Sequence, residues 1–396
     1  MIFEYINVDN SREIVSIEDT YNVTDKWINI NTSTKKEFIK KFLSAYKSNQ
    51  KIVLFDSNHK QLVDFYNKND INKLEMINKV NEKSKLLFFT SGSSGFPVGA
   101  FKSFDNINEE IKVLHSLVEK YKIKKVVVTV PFVHIYGVLA GLLLPLSLDN
   151  ITLVVKEDFL PYELLDEAKD SGTLVITTPV FIKALSKLSK EINLNKTIFI
   201  SSTGPLYDDD INLLESKYKT NIMQLFGSTE TGGIAYKYGN SLEWTPMKNV
   251  EIKLTKENKL SVKSKFISPY IIDNNILKLE QPFITEDIIE LKNDNFKLIG
   301  RSNKLIKIAG KRISALQIET QLEKINGVKN VVVELVYKKE LLRSEQIKIL
   351  VQSENKLSKK IIKDKLSEAF GVLTIPFTVK YVDNINLSAM GKKIIF

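Results

Sequence analysis

The chain of 396 residues is too long for one ordinary core and suits two or three domains, and its 43% hydrophobic and 26% charged content is that of a globular protein. It has no cysteine, which excludes disulfides and thiolate metal sites, and its three histidines, His59, His115 and His134, could bind zinc only with carboxylate help. A net charge of +10 invites a nucleic-acid reading, yet only four of the 57 basic residues are arginine and the lysines are scattered, so a solvated lysine-rich surface and no nucleic acid are expected.

The N-terminal stretch "MIFEYINVDNSREIV" lacks a basic start followed by an apolar run, so no signal peptide is expected. From about residue 84, short β-branched runs alternate with amphipathic stretches. The first run leads into "FFTSGSSGFPVGAFKS", Phe88 to Ser103, and a helical pattern covers 104–121. A strand is expected over 124–132. The most apolar segment, Gly137 to Leu148, is well short of the ~20 residues of a membrane helix and reads as buried core. No membrane span and a cytoplasmic protein are therefore expected. Strands over 151–155, 172–179, 196–202 and 221–227 then alternate with helices over 179–192 and 206–218. Such alternation implies α/β layers with much parallel sheet.

After residue 241 the apolar pattern changes to period two, with turn residues "ENK" and "NDN", as antiparallel hairpins require. From Arg301 onward the segments 314–325, 328–337, 344–353, 358–370 and 377–383 read helix, strand, strand, helix, strand. The expected fold class is α/β, with a large N-terminal domain (1–301) of layered, mostly parallel sheets and a β-rich subdomain. A small α+β C-terminal domain (302–396) completes it.

The glycine-rich stretch is the first candidate site. Backbone N–H groups of a Gly/Ser loop can converge on an anion, and glycine permits the tight turns. The loop is not a Walker motif, because Gly95 to Lys102 reads GxxxGxxK. Nor does "GSSGF" fit the GxSxG nucleophile elbow. The bland alternative is a flexible linker, which the preceding strand and Pro97 oppose.

Three further stretches stand in order behind it: "LFGSTETGG" (225–233), "FITEDIIELKNDNFKLIGRSNKLIKIAGKRIS" (283–314) and the closing "LSAMGKKIIF". Together, over residues 86 to 396, the four resemble the adenylate-forming superfamily of acyl-CoA synthetases, aryl-acid ligases, luciferases and peptide-synthetase adenylation domains. There the corresponding motifs are [FY]TSG[ST][ST]GxPKG, [YF]GxTE, TGD followed by GRxxxxIKxxGxRI, and PxxxxGK.

The resemblance implies an enzyme that activates a carboxylic acid with ATP to an acyl-adenylate and passes the acyl group to coenzyme A or to the phosphopantetheine of an acyl carrier protein. It implies that Thr90, Ser91, Gly92, Ser93, Ser94 and Gly95 wrap the β- and γ-phosphates. Phe226, with Gly227 and Ser228 beside it, would stack on adenine, flanked by Gly204 and Pro205. Thr229 would touch the α-phosphate and Glu230 would bind Mg²⁺, a hard cation that prefers oxygen. Asp287 would hold the ribose, assisted by Arg301. Asn303 falls at the hinge of a mobile small domain, and Lys392 would bridge the substrate carboxylate and the α-phosphate. His134 in "PFVHIYG" would line the acid pocket, with Thr203, Gln224, Thr231 and Gly232 beside it. Taken singly, each has a plainer reading: Phe226 and His134 as core, Glu230 as a helix-start acid, Asp287 as a hairpin residue, Lys392 as one more solvated lysine.

The sequence departs from the family pattern in three places. Val98 stands where the loop usually carries lysine, and Lys102 is expected to swing in to replace that charge. Thr285-Glu286-Asp287 replaces TGD. The stretch before the phosphate loop is also short for the family. A catalytically degenerate ATP- or AMP-binding homologue therefore stays open beside the active ligase.

Overall fold

The computed structural model describes residues 2–17, 22–30, 34–57, 60–68, 71, 77, 79–90, 98–273, 275–302, 305–308, 311–337, 345–370, 376–387 and 393. Loop residues 91–97, Asn303 and Lys392 thus lie outside the described residues. Two compact units are present. One takes residues 1–241, 245–252 and 262–283, the other 242–244, 253–261 and 284–396.

The first unit is α/β. Among the described residues its larger sheet has nine strands, and six of them run parallel: Ile2–Ile6, Thr152–Lys156, Lys125–Val128, Thr173–Thr177, Thr197–Ser201 and Asn221–Ser228. Their β-branched sequences suit strands covered on both faces. Thr173–Thr177 and Thr197–Ser201 are buried along their whole length. Helices Pro161–Ala168, Pro179–Ser186 and Asp208–Tyr218 lie against this sheet, packing Leu164, Leu165, Ile182, Leu185, Ile211 and Leu214 onto Val127, Val175 and Phe199. Each such buried side chain contributes about 1.5–3 kcal/mol. The helix expected over 179–192 stops at Ser186, because the N–H groups of Lys187 and Leu188 turn back onto Ala184 and Leu185 while Lys217 takes the carbonyls of Ser186 and Leu188.

A second sheet of the same unit joins Ile28–Asn29, Ile52–Leu54 and Ser84–Thr90 in parallel, then adds Val98–Ser103 antiparallel. Its core gathers Trp27, Val53, Phe55, Leu87, Phe89, Phe101 and Ile272, with Trp27 and Phe101 edge to face at 5.6 Å. The glycine-rich residues therefore connect two strands anchored in core. Ser103 caps the following helix, Phe104–Val118, accepting from Asn106 N while the Asn106 side chain accepts from Ser103 N. The apolar segment after His134 forms three short helical pieces over residues 135–147 and is buried from Tyr136 to Pro145.

The second unit contains the hairpin Phe283–Lys292 and Asn295–Arg301, and a three-stranded sheet of Val328–Tyr337, Glu345–Ser353 and Phe377–Tyr381. Helices Ala315–Glu323 and Lys359–Phe370 cover that sheet, burying Ile318, Leu322, Ile362 and Leu366 against Val331, Val333, Ile347 and Ile349.

Candidate active site

In a parallel sheet, ligands gather beyond the C-terminal ends of the strands, where each strand releases its chain into a loop. Among the described residues, three candidate stretches of the first unit follow such ends. The strand Asn221–Ser228 is buried at Ile222 and Met223, half-buried at Leu225 and Phe226, and exposed at Gly227 and Ser228. The ladder to Gly232–Tyr238 shifts register between Phe226 and Gly227, and a Cβ on Gly227 would stand 2.2 Å from the Gly232 carbonyl oxygen.

The turn that follows is held by side chains that bond its backbone groups. Ser228 N donates to Thr231 Oγ1 at 3.0 Å, Thr231 N donates to Ser228 Oγ at 3.2 Å, and the Thr231 hydroxyl donates to Gly232 O at 2.8 Å. Glu230 O accepts from Ser268 N at 2.8 Å and from Lys102 Nζ at 3.2 Å. Gly233 N donates to Glu110 Oε1 at 2.7 Å. Gly232 adopts φ +70°, and a Cβ there would meet Glu110 Oε2 at 2.5 Å, so this position requires glycine twice over. The side chains of Thr229 and Glu230 are half-buried.

Several expected residues take other tasks. Lys102 is fully buried, and its ammonium donates to Phe266 O at 2.5 Å as well as to Glu230 O. Swinging toward phosphate would strip both carbonyls, so the structure gives it a bracing place in the fold instead. Burial pushes its pKa down to about 8 and that of Glu110 up, each charge opposing the effect on the other. Gln224 is buried and donates to Gly239 O at 2.7 Å, bracing the strand rather than lining a pocket. Thr231 is likewise buried, its hydroxyl used within the turn.

The loop after Thr197–Ser201 is tied to the neighbouring strand by Ser202 Oγ, which donates to Leu225 O at 2.9 Å. Thr203 sits at φ +79°, a conformation that costs a β-branched residue about 1–3 kcal/mol. Gly204 and Pro205 are exposed beside it. His134 precedes the helix Ile135–Val138, its Nε2 3.9 Å from Asp56 Oδ2. Tyr136 anchors that motif by donating to Thr177 O at 3.1 Å and Ile200 O at 2.8 Å.

In the second unit Asp287 faces Arg301 across the hairpin, with Arg301 Nε 3.7 Å from Oδ1. Burial pushes the Asp287 carboxyl up, and the guanidinium draws it back. The adjacent Glu286 is bound by Lys259 Nζ at 2.8 Å and by the Ser302 hydroxyl, which hold its pKa below the usual range. Asp287 has the Thr285 side chain and Arg301 as its partners.

Sequence reasoning missed Glu110, an acid that the helical period sets on the buried stripe of Ile107, Ile111 and Leu114. It also missed Lys35, whose ammonium donates to Thr129 O, Lys156 O and Glu157 O at 3.3, 3.0 and 2.7 Å. Lys35 thereby gathers the ends of Lys125–Val128 and Thr152–Lys156, next to the His134 stretch.

Mg²⁺ fits this donor set. Among the described residues no cluster of three metal-ligating side chains exists, and Mg²⁺ is commonly held by one or two carboxylates together with substrate phosphates. Glu230 would be that carboxylate.

A family model described as AMP-binding enzyme matches residues 23–264. A Staphylococcus aureus (strain MRSA252) protein described as a long chain fatty acid-CoA ligase, VraA, is 24% identical over 323 residues, 77% of this chain and 68% of its own length. The 3,4-dihydroxybenzoate–[aryl-carrier protein] ligase of Bacillus anthracis is 20% identical over 269 residues, 67% of this chain and 62% of its own. The structure of ATP-bound MatB from Rhodopseudomonas palustris superposes with a TM-score of 0.74 at 14% identity, covering 99% of this chain and 94% of that one.

Proposed function

The chain belongs to the AMP-binding enzyme family, and from that premise we propose that it is an acid–thiol ligase, activating a carboxylic acid as its acyl-adenylate and then passing the acyl group to a thiol. In the first step a carboxylate oxygen attacks the α-phosphorus of ATP, the bond to the β-phosphate breaks, and pyrophosphate leaves. In the second, a thiolate attacks the acyl carbon and AMP leaves. The observation that supports this reading most is the Gly227–Gly233 turn, which carries Thr229 and Glu230 directly after a parallel strand and is pinned on both sides of them. Phe226 stacks on adenine beside Gly204 and Pro205, Thr229 binds the α-phosphate, and Asp287 takes the ribose hydroxyls. Bound by Glu230 and the phosphates, Mg²⁺ would supply charge neutralisation for the leaving pyrophosphate. Residues 302–396 form the mobile domain, with Asn303 as hinge and Lys392 as its catalytic lysine.

The names of the relatives support coenzyme A or a carrier-protein pantetheine as acceptor and a fatty or aryl acid as substrate. Among the described residues no helix is long and apolar enough to cross a membrane, and a cytoplasmic location belongs to the same reading. A nucleotide binder without turnover is favoured by one fact: with Val98 at the loop's lysine position, Lys102 is engaged elsewhere.

Acid-dependent ATP–pyrophosphate exchange over a panel of fatty, benzoic and cinnamic acids separates the two. Exchange with one class of acid supports the ligase, and silence across the panel supports the binder. Gly227→Ala should lower that exchange at least ~10-fold, since the new methyl must push the turn off Gly232. Parental exchange in a folded Gly227→Ala protein would show that the turn need not be closed.

A further inference from the structure

We propose that Lys102 and Glu110 form a buried positioning pair that fixes the Thr229–Glu230 turn for magnesium and ties it to the glycine-rich hairpin. The proposal rests on the reading of Glu230 as the magnesium carboxylate.

Lys102 lies in Val98–Ser103, the strand that leaves the glycine-rich residues, and Glu110 lies on the helix that follows. Both are buried, at 0% and 4% exposure. Their hydrogen bonds go to backbone groups across the fold. Lys102 Nζ bonds Glu230 O and Phe266 O, and Glu110 Oε1 accepts from Gly233 N. One residue thus holds the turn at Glu230 and the other holds it three residues on. Between them Gly232, at φ +70°, lies so close that a Cβ would strike the Glu110 carboxylate.

A pair of buried charges is a poor way to gain stability, because an apolar pair of similar volume often does as well or better. Its retention here suits a task that apolar groups cannot perform, namely directing hydrogen bonds at chosen backbone atoms. Those atoms belong to the residue that would bind the metal and to the turn's last member. Because Lys102 belongs to Val98–Ser103, the same ammonium ties that strand to the turn.

The double variant Lys102→Met/Glu110→Gln separates positioning from packing. It removes both charges, conserves volume, and keeps an amide oxygen for Gly233 N. It should melt near the parent, and in EDTA it should bind ATP as the parent does. By calorimetry with ATP, the gain in affinity on adding Mg²⁺ should fall about 10-fold, and half-saturating Mg²⁺ in the exchange assay should rise by a similar factor. Lys102→Gln, which keeps one donor on a shorter stem, should move the magnesium response in the same direction and serves if the double variant does not fold. A parental magnesium response in either folded variant overturns the proposal. The calorimetric arm needs no acid substrate, so absence of exchange in the parent would count against the ligase reading alone.

Discussion

Lys392→Ala is expected to abolish acid-dependent ATP–pyrophosphate exchange, a loss of at least about 10³-fold, while leaving ATP binding nearly unchanged. The reason is where charge develops. As the carboxylate attacks, negative charge grows on oxygens around the α-phosphorus, and a lysine bridging both reactants meets its full complement only in that state. Ground-state binding rests on adenine stacking, ribose and phosphate contacts made by other residues, so it should survive. The neighbouring Lys393 provides the contrast. Its ammonium is bound by Glu319 at 2.9 Å, Glu323 at 2.7 Å and Val331 O at 2.6 Å, all within the second unit. Lys393→Ala should therefore act mainly on that unit's stability, costing about 2–4 kcal/mol because two partly buried carboxylates lose their cation. Comparable loss of exchange in the two variants, with no loss of stability in Lys393→Ala, would reverse the assignment.

The second large effect is on stability and depends on pH. Burial pushes the Lys35 ammonium down to about 8, from an ordinary 10.5, despite the pull of Glu157 and Asp158. A lysine whose folded pKa is lowered binds fewer protons folded than unfolded between those two values, so its contribution becomes more favourable as pH rises through that window. Below about pH 8 both states carry the proton and the full desolvation cost is felt. The stability of the parent relative to Lys35→Met should therefore improve by about 2 kcal/mol between pH 7 and about pH 9.5. Buried tyrosines such as Tyr46, pushed up to about 12, give the opposite slope, but they are common to both proteins and cancel in the difference. Urea unfolding of both proteins at the two pH values, followed by circular dichroism, measures it. A difference that does not change with pH would mean that the Lys35 ammonium is not desolvated by its three carbonyls.

The parallel core was legible because short continuous apolar runs report burial on both faces: "TLVIT" and "TIFIS" each carry three apolar residues in a row. The candidate residues on Asn221–Ser228 were legible through the order of the motifs. What escaped was partnership. In "FDNINEEIKVLHSL" the helical period separates Glu110, on the stripe of Ile107, Ile111 and Leu114, from Glu109, which bonds Lys112 at the surface, but it does not show what the buried acid bonds. Lys102 was misread for the same reason. A long flexible side chain near a phosphate loop suggests reach, whereas the fold closes Phe266 and Glu230 around it. Lys35 hides among the lysines of "TKKEFIKK", and its three carbonyl partners come from segments about a hundred residues away.

The most direct measurement is the identity of the products formed from ATP with and without an accepted carboxylic acid, read by ³¹P NMR and mass spectrometry. The account predicts pyrophosphate and acyl-adenylate only when the acid is present, with AMP and an acyl thioester appearing once a thiol acceptor is added. Formation of ADP and phosphate, or product release indifferent to the acid, would contradict it.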